Sequence, residues 1–535
     1  EFAFNQTQRV SGVLWQHGET YSLYIKGAPE HVLNHCGKHH RSDVKIKNML
    51  ETFTGRGYRT IAFAHKDFSV PIDKIDATTL SDMSFDGFAG LSDQLREGAE
   101  QAVREAKEAG IKVVMLTGDH VNTAAFIASQ VGIAASRDEV SDSKVLETGS
   151  AEDISEKLKT TRVFGRVLPE HKYALLKATK GREITAMTGD GVNDIPALVE
   201  ADAGIAMGSG SDVAKSAAKI VLTDDKFNSI VAAIREGRRM FENIQKFVLH
   251  LLCSNVGEVI LLICGLAFQD KTGFSVFPIS PLEILWINMV TSSFPAFGLS
   301  REKASTEVMR KPPLDKKRGV FTNQIPVDML VYGTLMGICT LATFVIVVFG
   351  KDYDGLEGRA RLGQDCNRHY SDSCYPVFRA RAAVFAELTW LILVSAWEFK
   401  NIRRSMFHLN PDNNSRWRIF TDLYENRFLF WAVVIGGVSV FPTVYIPYLN
   451  RDVFKHTSIS WEWGVVVGMT ILFVLGIETW KYIKRRFHLL EDHKVPHGAW
   501  SQGEEGMRRL HRTMSFRSWR SWGRTESKSK AQSSG

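Results

Sequence analysis

Residues 188–198 read TGDGVNDIPAL, and the stretch 184–187 just ahead reads as a short strand of which they are the end. Asp190, Asn193 and Asp194 stand within five positions on that Gly-flanked strand end. This is a hard-oxygen donor set suited to Mg2+ held against a phosphate that completes the coordination. Asp and Asn ahead of a helix are also good N-caps, so either reading fits the segment alone. Working outward, a helix over 169–180 and a strand over 162–164 precede it. Before those, a helix over 100–109 is closed by Gly110, and a strand over 111–116 delivers Thr117, Gly118 and Asp119, a second TGD, with the next helix starting near Val121. Helix alternating with short apolar strand is the pattern of βαβ units, and open α/β sheets bind ligands at the carboxyl ends of their strands. The prediction is a doubly wound parallel sheet with both TGD segments at its ligand edge and Lys172 between them in sequence.

The 535-residue chain has room for several domains. Its 44% hydrophobic and 23% charged residues and mean hydropathy of −0.11 look globular, but the average hides two unlike halves. Up to about residue 240 the chain is charged and punctuated like a soluble domain. Beyond it, six apolar runs near 247–268, 279–299, 327–349, 379–398, 428–449 and 461–480 are each long enough to cross a bilayer. Lysines and arginines crowd the second loop (Arg301, Lys303, Arg310, Lys311), the fourth loop (Lys400, Arg403, Arg404) and the tail, which places those sides in the cytosol. The tail from 481 to 535 holds thirteen Lys and Arg against five Asp and Glu. The excess of +7 is therefore local, and a nucleic-acid partner is not expected. Interleaved Arg517, Trp519, Arg520, Trp522 and Arg524 suit an anionic membrane surface or an autoinhibitory contact, a solvated tail being the alternative. Six cysteines make no disulfide framework. Cys253, Cys264 and Cys339 in apolar runs read as core residues, while Cys366 and Cys374 in the third loop can pair if that face is oxidising.

Polar groups inside spans are costly and usually functional. The first run holds Asn255 and Glu258, the second Asn288, Thr291, Ser292 and Ser293, and the fourth Glu387. At i and i+3, Asn255 shares a helix face with Glu258 and Asn288 with Thr291, and Pro295 would loosen the backbone and free carbonyls for an ion. Interhelical hydrogen bonding is the plainer reading, for Ser293 above all.

TGDGVNDIPAL and MLTGDH closely resemble the phosphorylation-domain motifs of P-type ion-pumping ATPases, and KGAPE at 26–30 resembles their nucleotide-site motif. The resemblance implies a haloacid-dehalogenase-like phosphorylation domain over 86–240, a partial α+β nucleotide-binding domain over 1–85, an all-α bundle of six transmembrane helices over 241–480 and a cytosolic tail. It implies ATP and Mg2+ as cofactors. Asp190 would coordinate Mg2+, Asn193 and Asp194 would organise the phosphate, and Thr117, Gly118 and Asp119 would support the phosphate and hinge side. Lys172, in LPEHK, would neutralise phosphate charge, a surface lysine being the alternative. Lys26 and Gly27 would line the adenine pocket, Phe4 would stack on the base and Arg59 would reach the nucleotide. The family's nucleophilic aspartate lies in a DKTGT segment ahead of the nucleotide-binding domain. The DKTG at 270–273 is followed by Phe274 and falls between two spans, so it reads as a decoy. Glu1 stands where an initiator Met is expected, and the missing amino-terminal half of the same pump is the expected partner.

Residues 253–258 and WINMVTSS from Trp286 resemble the ion-binding helices of calcium-pump-like members. Where those carry an aspartate after the Thr, this chain has Ser292. Asn255, Glu258, Asn288, Thr291 and Ser292 are therefore the expected ligands of a transported Na+ or K+, since fewer anionic ligands disfavour a divalent ion. The runs around them most resemble fungal and protist sodium/potassium-efflux pumps. The expected function of the full-length protein is ATP-driven cation efflux across the plasma membrane, or an endomembrane, in contact with lipid, the fragment alone hydrolysing nothing. The rivals are a calcium pump, a membrane-anchored phosphatase and a truncated regulatory partner.

Overall fold

The computed structural model describes residues 9–490 apart from 19, 70–78, 93–94, 306, 314–318, 352–357, 368–371, 411–412 and 414. Phe4 and the tail beyond residue 490, with its Arg and Trp residues, lie outside the described residues. The chain divides into two compact units, Glu1–Phe241 with Lys303–Gly319, and Glu242–Glu302 with Val320–Gly535.

In the first unit, β1 (Val10–His17), β2 (Thr20–Gly27), β3 (Arg59–Phe68) and β4 (Ser84–Leu91) form one antiparallel sheet in the order β1-β2-β3-β4. Strand alternation sends Leu23 and Ile25 inward, where with Ala62, Ala64 and Val32 they make a small core. Val32 comes from α1 (Pro29–His35), and α2 (Val44–Gly55) follows it. Ser22, Tyr24 and Lys26 take the opposite face. The sheet continues to Leu91, past the boundary expected at 85, because β4 pairs with β3 as far as Leu91, with a bulge at Asp86.

Next come α3 (Ala99–Glu108), β5 (Met115–Leu116), α4 (Val121–Gln130), β6 (Val140–Asp142), β7 (Val163–Gly165), α5 (Pro169–Thr179), β8 (Ala186–Gly189), β9 (Ala203–Met207) and β10 (Ile220–Leu222). Gly110 takes the left-handed conformation just past α3, as expected. All pairing here is parallel, but the strands form two three-stranded sheets, β5-β7-β6 and β10-β9-β8, instead of one continuous sheet. Among the described residues no strand joins β5 to β8. The strand expected over 111–116 shrinks to two residues, because its one partner, β7, offers only three.

Helix α6 (Phe227–Gly265) runs from the first unit in sequence into the second. The second unit continues with α7 (Pro281–Ser300), α8 (Gln324–Phe349), α9 (Tyr375–Glu398), α10 (Arg427–Tyr445) and α11 (Glu462–Arg486). Five of these, all but α9, are long and apolar enough to cross a membrane by length and composition. Helix α9, the fourth run, carries Arg379, Arg381, Glu387 and Glu398, and it is the most enclosed helix of the unit, with all five of its Ala residues, at 380, 382, 383, 386 and 396, fully buried. Small residues also bring α6 and α8 together: a Cβ on Gly333 would lie 2.6 Å from Val256, and one on Gly337 2.8 Å from Ile260.

Two expectations are corrected here. Lys481 and Lys484 do not begin the tail. They lie on α11, fully buried, with Lys481 on Glu398 and Lys484 on Asp328, each at 2.6 Å, so the bundle claims them. Cys264 is exposed, whereas Cys253 and Cys339 are buried. Cys366 and Cys374 are disulfide-bonded.

Candidate phosphate and ion sites

Asp194 sits where β8 turns into the following helix, and it is 6% exposed. One carboxylate oxygen takes the Lys172 ammonium at 2.6 Å. The other faces the backbone N–H groups of Asp190 and Gly191, at 3.3 Å each, and so pins the turn. The turn is tight enough that a Cβ on Gly189 would fall 2.5 Å from the Asp194 Cβ. Asp190 and Asn193 stand out to solvent at the same strand end, and neither side chain has a hydrogen-bond partner among the described residues. Lys172 and Asp194 thus brace the site, and Asp190 and Asn193 are left for a ligand.

The second TGD is held in the same manner. Thr117 Oγ1 accepts from the Asp119 N–H and donates to the Asp119 carboxylate, both at 3.1 Å, while its backbone pairs with Phe164 and Val167. Gly118 has only Val167 O near an added Cβ, at 3.8 Å. Arg59, on β3, reaches Asp119 at 3.7 Å and is mostly exposed. Glu30, in KGAPE, takes both its oxygens to Arg166 at 2.5 Å, with His120 at 3.3 Å. Burial alone raises the Glu30 carboxyl, but the Arg166 guanidinium more than offsets this and holds it below the usual carboxylate range. Lys26 lies on the open sheet face beside Tyr24, at the flank of a groove of about 650 Å3 lined by Trp15, Ser22, Tyr24 and His65. Gly27 is a close-approach position, since a Cβ there would meet Arg9 O at 2.3 Å.

Among the described residues no three His, Cys, Asp or Glu converge to hold a metal. A Mg2+ ion commonly binds through one or two carboxylates plus substrate phosphates, so the free Asp190 carboxylate fits that role where a closed protein cage does not.

The DKTG segment is a self-contained turn. Asp270 is buried, with Oδ1 accepting from Thr272 N, Thr272 Oγ1 and Phe274 N, and Oδ2 accepting from Asp365 N at 3.2 Å. Its carboxylate is engaged in holding two loops together.

In the second unit Glu258 is buried, and one of its oxygens accepts from Asn288 Nδ2 at 2.9 Å. The other oxygen has no partner. Asn255, expected on the same face, is exposed, and Thr291 does not join Asn288. For Thr291 the cause lies in α7, whose residues Ile287–Thr291 form a π turn, so that i and i+3 no longer share a face. Thr291 Oγ1 donates to the carbonyls of Trp286 and Ile287, and Ser293 Oγ to that of Asn288. The loosened carbonyls are thereby covered by hydroxyls instead of lying free.

Ser292 points elsewhere again. It is fully buried and meets His250 Nε2 at 3.5 Å, while Ser395 Oγ lies 3.3 Å from His250 Nδ1. Ser395 donates its hydrogen to Ile392 O, so toward the ring it accepts, and in a neutral ring Nε2 is left to accept from Ser292. His250 and Ser395 were missed in the sequence. A histidine in an apolar run was the available signal.

Residues 12–202 match the haloacid dehalogenase-like hydrolases, and 174–234 match a second model of that description. Within the first of these matches lie both parallel sheets' Asp-bearing strand ends and Lys172. Residues 276–483 match the cation transporting ATPase C-terminus. The chain belongs to the P-type ATPases. It is 45% identical over 514 residues to the sodium/potassium exporting P-type ATPase cta3 of Schizosaccharomyces pombe, covering 91% of this chain and 48% of that protein. Sodium/potassium exporting P-type ATPase 2 of Saccharomyces cerevisiae is 42% identical, with 91% and 47% covered. A calcium-transporting ATPase of Bacillus subtilis is 31% identical, with 88% and 50% covered. The chain spans about half the length of these relatives.

Proposed function

We propose that the full-length protein exports a monovalent cation, Na+ or K+, driven by ATP through an aspartyl-phosphate. The aspartate would be supplied by the amino-terminal half that the relatives possess. The observation that carries the ion assignment is that one carboxylate, Glu258, is paired with the neutral Asn288, while Ser292 turns to His250. A single anionic ligand suits a monovalent ion better than a divalent one. The relatives of higher identity are named as sodium/potassium exporters.

Asp190, with Asn193 beside it, would hold Mg2+, which neutralises charge on the transferring phosphoryl group when bound. Lys172 and Asp194 keep that strand end in place, and Thr117 with Asp119 presents a second polar turn toward the phosphate. The sheet face bearing Lys26 and Gly27 would take the base, and Arg59 would lie between base and phosphate sides. In the bundle we infer six spans, α9 being the sixth, shielded by its neighbours. The soluble unit and the carboxyl terminus face the cytosol, and lipid surrounds the bundle in the plasma membrane. The Cys366–Cys374 disulfide supports this orientation, because disulfides persist on oxidising, non-cytosolic faces.

The test is phosphorylation from γ-labelled ATP in membranes expressing the reading frame extended upstream, with Na+, K+ or Ca2+ supplied separately. The expected result is an acid-stable phosphoenzyme that needs Na+ or K+ and is abolished by Asp190→Ala. A Ca2+ requirement would establish the calcium-pump reading, which the 31% relative keeps in view. No phosphoenzyme under any ion would favour a regulatory partner.

A further inference from the structure

Where α7 begins, two ionisable side chains meet out of water. Glu283 and His456 are both fully buried, and Glu283 Oε1 lies 2.6 Å from His456 Nδ1. The other ring nitrogen, Nε2, lies 3.0 Å from the carbonyl of Thr443 on α10. A carbonyl only accepts, so Nε2 carries a hydrogen, and the contact at Nδ1 then needs a second proton, held by the ring or by the carboxyl. Without it, two acceptors would face each other.

The pair joins separate elements. The remaining oxygen of Glu283 accepts from Ser280 N at 2.6 Å, and Glu283 N donates to Ser280 Oγ, which caps α7. Ser280 Oγ in turn donates to Phe454 O at 3.2 Å. His456 N donates to Asn450 O, the Phe454 ring stacks on the imidazole at 5.7 Å, and Phe385 of α9 lies 5.8 Å from it. Residues 450–456, between α10 and α11, are thus tied to the first turn of α7. From α9 comes Arg381, close enough to Glu283 for their charges to interact, with its own donors on Phe277 O, Cys366 O and Asn367 Oδ1. Helix α10 has no charged residue beyond Arg427 at its other end, and Glu462 of α11 is held by Arg379. In the segment itself Arg451 and Asp452 are exposed and Lys455 is half-buried. With Arg381 beside it, the carboxylate keeps a counter-charge when base removes the second proton.

We propose that Glu283 and His456 form a proton-held latch that fixes the non-cytosolic end of α7 to the α10–α11 segment and lets go when that face turns alkaline. The inference rests on the orientation and ion site proposed above, since Asn288 stands five residues beyond Glu283 on the same helix. Its test uses neither ATP nor a transported ion, so a failed phosphorylation assay leaves the outcome readable. Amide hydrogen exchange of residues 449–457 is followed by mass spectrometry from neutral to alkaline pH, with the whole chain in lipid nanodiscs, where both faces meet the buffer. At each pH the parent is compared with Glu283→Gln, which cancels the base catalysis of exchange itself. That variant keeps a neutral hydrogen bond to Nδ1 and has no proton to lose there. The parent-to-variant rate ratio should rise about tenfold with alkalinity, the size expected when one hydrogen bond to a charged group is lost, and it should return on neutralisation. His456→Gln in place of the parent should give a ratio flat in pH. Should Glu283→Gln not fold, unstructured-peptide rates for the same sequence take its place as the reference. A parent ratio that stays constant with pH overturns the proposal. So does a rise of equal size in His456→Gln, which would put the titrating group elsewhere.

Discussion

Asp194 and Asp190 are four residues apart and meet opposite fates. Asp194 is buried against Lys172, so removing one partner leaves a largely desolvated charge. Lys172→Ala is expected to cost about 3 kcal/mol of stability, read by denaturant unfolding. Asp190, exposed and unpartnered, should tolerate Ala to within about 0.5 kcal/mol while losing all phosphorylation in the full-length protein. Equal destabilisation by the two would contradict this division of labour. Glu30 makes a pH prediction. Its carboxyl is lower in the folded chain than its ordinary 4.5, burial being outweighed by Arg166. The pair's contribution is therefore complete above about pH 4.5 and lost as pH falls through the lowered value. Glu30→Gln should lower the melting temperature at pH 7, and the gap from the parent should close on acidification below that window. A gap independent of pH would mean that Glu30 acts by packing alone. At this scale the sequence was most legible where chemistry is local. TGDGVND carries its own turn, and Glu258 stands out as a lone carboxylate in an apolar run. His250 and Ser395 were not legible, because 145 positions separate them and only helix packing brings them within 3.3 Å.

Among elements, two departures from expectation in the second unit have one cause each. Helix α7 misplaces Thr291 relative to Asn288 because a π turn changes the angular step, and periodicity counts assume a constant step. The fourth run is not among the five helices apolar enough to span by length and composition, yet α9 is largely buried in the second unit, with Trp390, Val394 and Trp397 only partly exposed, a tertiary fact that no window reads. The third loop explains how one end of α9 is fixed. Cys366 is bonded to Cys374, and its carbonyl accepts from buried Arg381. Opening a loop of this length should cost about 2.5 kcal/mol on the chain-entropy account. Cys374→Ser, or reductant added to the parent, should lower the thermal unfolding temperature by similar amounts, and reductant should leave the variant unchanged. A variant still sensitive to reductant would place the effect at another thiol.

For the whole molecule the quantity that decides between the proposed monovalent export and the calcium reading is how much negative charge the bundle would offer an ion. At the level of Asn288 the described residues supply Glu258, while position 292, one turn further on, presents a hydroxyl to His250 where calcium-pump-like sequences resembling this one place an aspartate. Each added carboxylate favours a divalent ion through Coulombic attraction, and it adds desolvation cost when the ion present is monovalent. Ser292→Asp, made in the reading frame extended upstream, should therefore weaken Na+ or K+ activation of the phosphoenzyme and introduce activation by Ca2+. The measurement is the ion concentration giving half-maximal phosphoenzyme for each cation. Because His250 is the side chain that meets position 292, His250→Gln should leave the order of ion preference of the parent unchanged, its ring serving to hold Ser292 and Ser395 and not the ion. If Ser292→Asp leaves every half-maximal concentration where it was, position 292 lies outside the ion path. The monovalent assignment would then have to rest on the Glu258–Asn288 pair.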